Sequence, residues 1–108
     1  MTTPNLQLPE IAESQASKYL THNEALRVLD ALCPNLVVQD TLSTPPGSPT
    51  DGQCWIIGPA ATGAWAGHET EIAQRYGGAW YFITPLEGWA AWDIDAAAQV
   101  RFDGAAWA

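Results

Sequence analysis

Six tryptophans, Trp55, Trp65, Trp80, Trp89, Trp92 and Trp107, all lie in the second half of a 108-residue chain, set among glycines, alanines and short apolar runs. Rings of that size need cover, and the spacing of their neighbours says how a small fold supplies it. Trp80 with Phe82, and Trp92 with Ile94, stand two residues apart, which puts a ring and an apolar neighbour on the same face of a strand. Trp65, Trp89 and Trp107 are flanked by Gly and Ala outside clean alternation. They read either as further core or as exposed platforms on which sugar rings or a partner protein stack.

Turn chemistry divides this half into strands. Gly77-Gly78 between Glu71–Tyr76 and Ala79–Thr84 predicts a two-residue hairpin, since paired glycines adopt the primed turns that match strand twist. A second pair is expected at Ala90–Asp95 and Gln99–Phe102, and Asp103-Gly104 turns the chain towards Trp107. Upstream, Leu36–Asp40 and Cys54–Ile57 read as short strands on either side of Ser43–Gly52. That segment is dense in Pro, Gly, Ser and Thr and reads as an ordered surface crossing.

The first half differs. Residues 1–20, with Pro4, Pro9 and the apolar Leu6, Leu8 and Ile11, suit an extended arm that lies along a partner surface. Thr21-His22-Asn23-Glu24 has the spacing of a capping box, which predicts a helix over 22–33 that stops at Pro34. Ser14–Tyr19 is either a preceding helical turn or a continuation of that helix, with the cap favouring a break. Leu26, Leu29 and Leu32 form the apolar seam of an assembly helix, allotted residues 21–34. The expected fold is α+β: an N-terminal arm and one amphipathic helix, then a small antiparallel β meander or sandwich over residues 35–108, all in one domain.

Charge narrows the partners. The net charge of −8, with only four basic residues, disfavours a phosphate-binding surface, so nucleic acid is not expected. No run approaches the ~20 apolar residues of a membrane span, and the start lacks the pattern of a secretory signal. Cys33 and Cys54 are not spaced for zinc and read as reduced fillers. His68-Glu69-x-Glu71 holds metal-capable groups, but adjacent residues of a strand point to opposite faces, so no metal is expected. Asp93 and Asp95, with Glu87, read as a solvated strand face in preference to a glycosidase pair, and His22 as a hydrogen-bonding residue. No nucleophile stands beside a base, so neither an enzyme nor a cofactor is expected.

Four blocks carry a family resemblance. Leu8-Pro9-x-Ile11-Ala12-x-x-Gln15-Ala16-x-Lys18-x-x-Thr21-His22-Asn23-Glu24-Ala25-Leu26-x-x-Leu29-Asp30-Ala31-Leu32 resembles the opening of the uncharacterised DUF2793 family, found in tailed phages, prophages and gene transfer agents. Gly63-Ala64-Trp65-Ala66-Gly67-His68, Gly78-Ala79-Trp80-x-Phe82-x-x-Pro85-x-Glu87-Gly88-Trp89-x-Ala91-Trp92 and Phe102-Asp103-Gly104-Ala105-Ala106-Trp107 are similar to its later blocks. The resemblance implies a structural virion protein of a tail fibre, tail tip or spike, synthesised in the host cytoplasm and forming homo-oligomers, with trimers favoured. Docking contacts with its own copies or other virion proteins are then expected from Leu6, Leu8, Ile11, Leu26, Leu29 and Leu32. The alternative is a carbohydrate-binding module that meets host surface polysaccharide through Trp65, Trp89 or Trp107.

Overall fold

A computed structural model describes residues 2–10, 18–33 and 35–108. Helix α1 (Lys18–Leu32) is followed by seven strands: β1 (Leu36–Val38), β2 (Thr41–Leu42), β3 (Cys54–Ile57), β4 (Ile72–Tyr76), β5 (Ala79–Ile83), β6 (Ala90–Asp93) and β7 (Ala98–Arg101). They form a four-stranded sheet in the order β2-β3-β4-β5 and a three-stranded sheet in the order β1-β6-β7. The protein is thus an α+β fold with mixed sheets. Two of the pairings, β1 with β6 and β2 with β3, are parallel, where the sequence predicted an antiparallel meander. The reason is topological: β1 pairs with a strand far downstream, Leu36 beside Ala91, while β2 and β3 are successive strands whose connection, residues 43–53, crosses back before β3 begins.

The Cys-Trp-Ile-Ile run of β3 is buried at every position, because its sheet is covered on both sides. One face sends Cys54, Ile56, Ile72 and Ile83 against Leu36, Val38 and Ala91 of the other sheet and Ala31 of the helix. The other sends Trp55, Ile57 and Ala73 against Trp65, which a single 3-10 turn at Gly63–Trp65 lays over the sheet. The period-2 alternation of β3 therefore separates two cores. Gly77 and Gly78 both adopt positive φ, at 58° and 77°, as the primed turn joining β4 to β5 requires. The Asp51 carboxylate accepts from both of their N–H groups, at 2.9 and 3.1 Å.

The N-terminal segment departs from the predicted extended arm. Residues 2–9 close on themselves: Thr2 bridges Pro9, the Thr3 N–H donates to the Leu8 carbonyl at 3.0 Å, and the Leu8 N–H donates to Thr3 Oγ1 at 2.9 Å. This closed turn is pinned to the helix by the buried Asp30, whose carboxylate accepts the Asn5 N–H at 2.9 Å and the Leu6 N–H at 2.6 Å. Asn5 also donates through Nδ2 to the carbonyls of Asp30 and Gly52. Backbone groups that an extended arm would leave to water are thereby satisfied inside the chain.

The helix runs from Lys18 through Thr21 without a break, so the capping box is not used as an N-terminus; of the Ser14–Tyr19 segment, Lys18 and Tyr19 belong to this helix and residues 14–17 lie outside the described residues. The residues turned inward are Asp30 and Ala31, with Arg27 a turn earlier. Arg27 Nη1 donates to Gln74 Oε1 at 2.8 Å, Gln74 Nε2 returns a bond to the Arg27 carbonyl at 3.0 Å, and the guanidinium stacks 4.1 Å above the Tyr81 ring. This polar clamp fixes the helix on β4 and β5. Replacing Asp30 with Ala is expected to cost about 3 kcal/mol in urea unfolding, because two inward N–H groups lose a charged acceptor. Asp30→Asn, which keeps one acceptor oxygen, should cost less.

Candidate functional site

The structure separates the three tryptophans proposed as platforms. Trp65 is fully buried, which removes it as a contact residue. It forms a triad with Trp55 and Trp80, at ring-centroid distances of 6.3 Å and 5.1 Å, and the Trp65–Trp80 pair is edge-to-face at 82°. Its buried Nε1 has no nitrogen or oxygen hydrogen-bond partner among the described residues. Isolation among Gly and Ala thus signals a loop lying close to the sheet, with one ring filling the gap. Trp89 and Trp107 are half-buried and pack against the core between the sheets. Trp107 also donates through Nε1 to the Thr70 carbonyl at 2.8 Å and stands 5.3 Å from Phe102, which ties the C-terminal turn to the body.

The titratable groups serve local structure. His68 stacks on Phe82 at 3.7 Å, with planes 4° apart, and its Nδ1 lies 2.6 Å from Glu71 Oε1, while Thr84 Oγ1 donates to Glu71 Oε2 at 3.2 Å. Glu69 turns away to accept from Ala61 N–H at 3.0 Å. Its own backbone N–H and that of Ala61 hold its carboxyl below the usual range. Asp93 is buried and accepts from Ala96 N–H at 3.1 Å, whereas Asp95 is exposed in the β6–β7 turn, so the two aspartates do not share a face. Tyr76 donates to Glu10, and burial first, then that bond, raises its phenol above the usual range. Among the described residues no group of three or more His, Cys, Asp or Glu side chains is placed to hold a metal ion, and no helix is long and apolar enough to cross a membrane.

Of the residues expected in docking, Leu6 and Leu29 are exposed, at 38% and 46%, whereas Leu8 and Leu26 are half-buried. Leu32 packs against the core, and Ile11 lies outside the described residues. The predicted seam is therefore split, because the helix turns its polar Arg27 and Asp30 inward and leaves Leu29 out. Leu6 is linked to Leu29 only indirectly, through the clamp: its N–H is held by Asp30, the residue next to Leu29.

A second surface was not anticipated. Trp92 and Ile94, predicted as core, are 45% and 49% exposed, and Val37, the register neighbour of Trp92 on β1, is 40% exposed. The inward residues of β6 are Ala91 and Asp93. Asp93 lies three residues before Ala96, the spacing of a side chain that caps a tight turn from inside, and that signal would have placed Trp92 outward. On the other side Trp92 faces Gln99 of β7. Asn35, Leu36, Val37, Ala90, Trp92 and Gln99 line a depression of about 330 Å³.

A family model described as "Protein of unknown function (DUF2793)" matches residues 22–108. Comparison with curated proteins finds no match.

Two measurements check the local chemistry. Cys33 is exposed while Cys54 is buried, and burial, with the nearby Asp30 charge, pushes the Cys54 thiol up to about 12. A thiol reagent at pH 8 should modify Cys33 alone in the native protein and both cysteines in denaturant. Asp103 accepts from the N–H groups of Ala106 and Ala105, each at 2.8 Å, and these bonds hold its carboxyl below the usual range. A lowered native value means the bonds stabilise the turn above the ordinary aspartate pKa and are lost as pH falls through the lowered one. The protection of the Ala105 and Ala106 amides, relative to intrinsic exchange at the same pH, should fall in that acid window, and Asp103→Ala should lower it at neutral pH.

Proposed function

We propose, for a chain that belongs to the DUF2793 family, a structural role without catalysis: a component of a tail fibre, tail tip or spike in a tailed phage or gene transfer agent, acting through contacts between copies. The observation that carries this reading is that Leu6 and Leu29 are both exposed while the turn that holds the one and the helix that holds the other are tied together by the Asp30 carboxylate. Uncovered apolar side chains on an ordered surface gain free energy when a second surface covers them. The resemblance of the Leu8–Leu32 and Pro85–Trp92 blocks to sequences from such particles supports the setting.

Size supports it as well. A chain of 11.6 kDa keeps a large surface relative to its volume, and here the apolar interior is divided into two clusters. Burial between copies, with a closed trimer favoured, adds to that modest interior. Three of the candidate chemical groups are engaged in turns and clamps: Asp93 with Ala96, Glu69 with Ala61 and His68 with Glu71.

Association of this kind makes stability depend on concentration. Sedimentation velocity should show an oligomer that dissociates on dilution, with the melting temperature falling over the same range. Leu29→Asp, at an exposed position, should yield a folded monomer whose melting temperature no longer responds to dilution. A wild-type protein that is monomeric throughout, with a constant melting temperature, overturns the reading.

A further inference from the structure

We propose that the open face of the β1-β6-β7 sheet is a binding site for a neutral glycan, with Trp92 as the stacking platform and the Asn35 and Gln99 amides as the hydroxyl contacts. The site is separate from the leucine surface above. It is built by register: Val37, Trp92 and Gln99 are successive neighbours across the three strands, so their side chains emerge in one row. The parallel β1–β6 pairing brings Asn35 to the same depression from far upstream.

The chemistry of the lining selects the ligand. A pyranose ring has an apolar C–H face and a rim of hydroxyls, each able to donate and accept. Trp92 presents a large half-exposed aromatic surface for the first. A carboxamide carries both donor and acceptor, so Asn35 and Gln99 suit the second. Among the described residues neither amide has a protein partner, and both are exposed, so they are available to a ligand. No charged side chain lines the depression, whose volume falls at the small end of ligand pockets, about 300–1,000 Å³. With a net charge of −8 on the chain, long-range repulsion disfavours a polyanionic saccharide and leaves a neutral one.

A protein partner is a poorer fit to this face. Interface centres pair a buried anchor with a matching pocket and shed polar groups, whereas here the aromatic ring stands in the same depression as two unengaged amides.

Tryptophan fluorescence and saturation-transfer NMR with maltohexaose, cellohexaose, laminarihexaose and mannohexaose, and with a hyaluronan hexasaccharide as the anionic comparison, test the proposal on the full chain. At least one neutral hexasaccharide should bind at millimolar concentration or below, with transfer to its ring C–H protons. Trp92→Ala should weaken that binding at least tenfold, and Asn35→Ala or Gln99→Ala several-fold. Because Trp92 is outside both cores, the near-ultraviolet circular dichroism of the Trp55–Trp65–Trp80 triad should be unchanged in the variant and shows that it is folded. Four outcomes overturn the proposal: silence with every neutral sugar, binding that survives Trp92→Ala, preference for hyaluronan, or a Trp92→Ala variant altered only in self-association. The last identifies the face as a protein contact. Sugar binding that fails while Leu29-dependent association persists removes this proposal alone, and the converse removes only the assembly reading.

Discussion

The burial of β3 and β4 on both faces is the constraint from which the other features follow. A strand pair covered on one side needs a single apolar stripe; covered on both, it needs side chains of opposite parity that are all apolar, as Cys54, Trp55, Ile56 and Ile57 are. The smaller sheet and the helix cover one side, and the Trp65 turn covers the other. At ~25 cal/mol per Å² and about 200 Å² per ring, burying Trp55 and Trp65 supplies on the order of 10 kcal/mol before conformational entropy is counted. That contribution outweighs the cost of leaving the Trp65 N–H without an oxygen or nitrogen acceptor, on the order of 1–3 kcal/mol.

The helix is joined to this body by polar contacts more than by its leucines. Arg27 spans Gln74 and Tyr81, Gln74 answers with its own amide, and Asp30 closes over the N-terminal turn. Hydrogen bonds between buried partners are directional, so this arrangement fixes rotation about the helix axis in a way a greasy stripe would not. The consequence is functional. With the polar residues committed inward, Leu29 is left at the surface, and Leu6 is presented on a rigid turn. A proposed contact between copies is thus the other side of an internal clamp.

The same logic of parity governs the small sheet. Its inner face belongs to Leu36, Val38, Ala91 and Asp93, and every residue between them is obliged to face out. Val37 and Trp92 are exposed for that reason. The large ring stands on the solvent side while a buried aspartate takes the inner position, held by the N–H of Ala96. An apolar-in, polar-out reading fails at this point, and it is there that the proposed ligand face arises.

Local chemistry made much of the architecture legible in the residues alone. The Gly77-Gly78 hairpin, the strands around Cys54–Ile57 and Ala79–Ile83, the common face of Trp80 and Phe82, the turn at Asp103-Gly104 and the existence of one helix all depend on contacts between near neighbours, whose types and spacing are written in the chain. Long-range pairing decided the rest. Whether Thr21 caps or continues a helix depends on what precedes it, whether Trp65 is platform or core depends on which loop folds over β3, and which face of β6 is inner depends on β1 arriving parallel from far upstream. A period of two says that neighbouring residues point to opposite sides, but only the packing of the second sheet says which side is water.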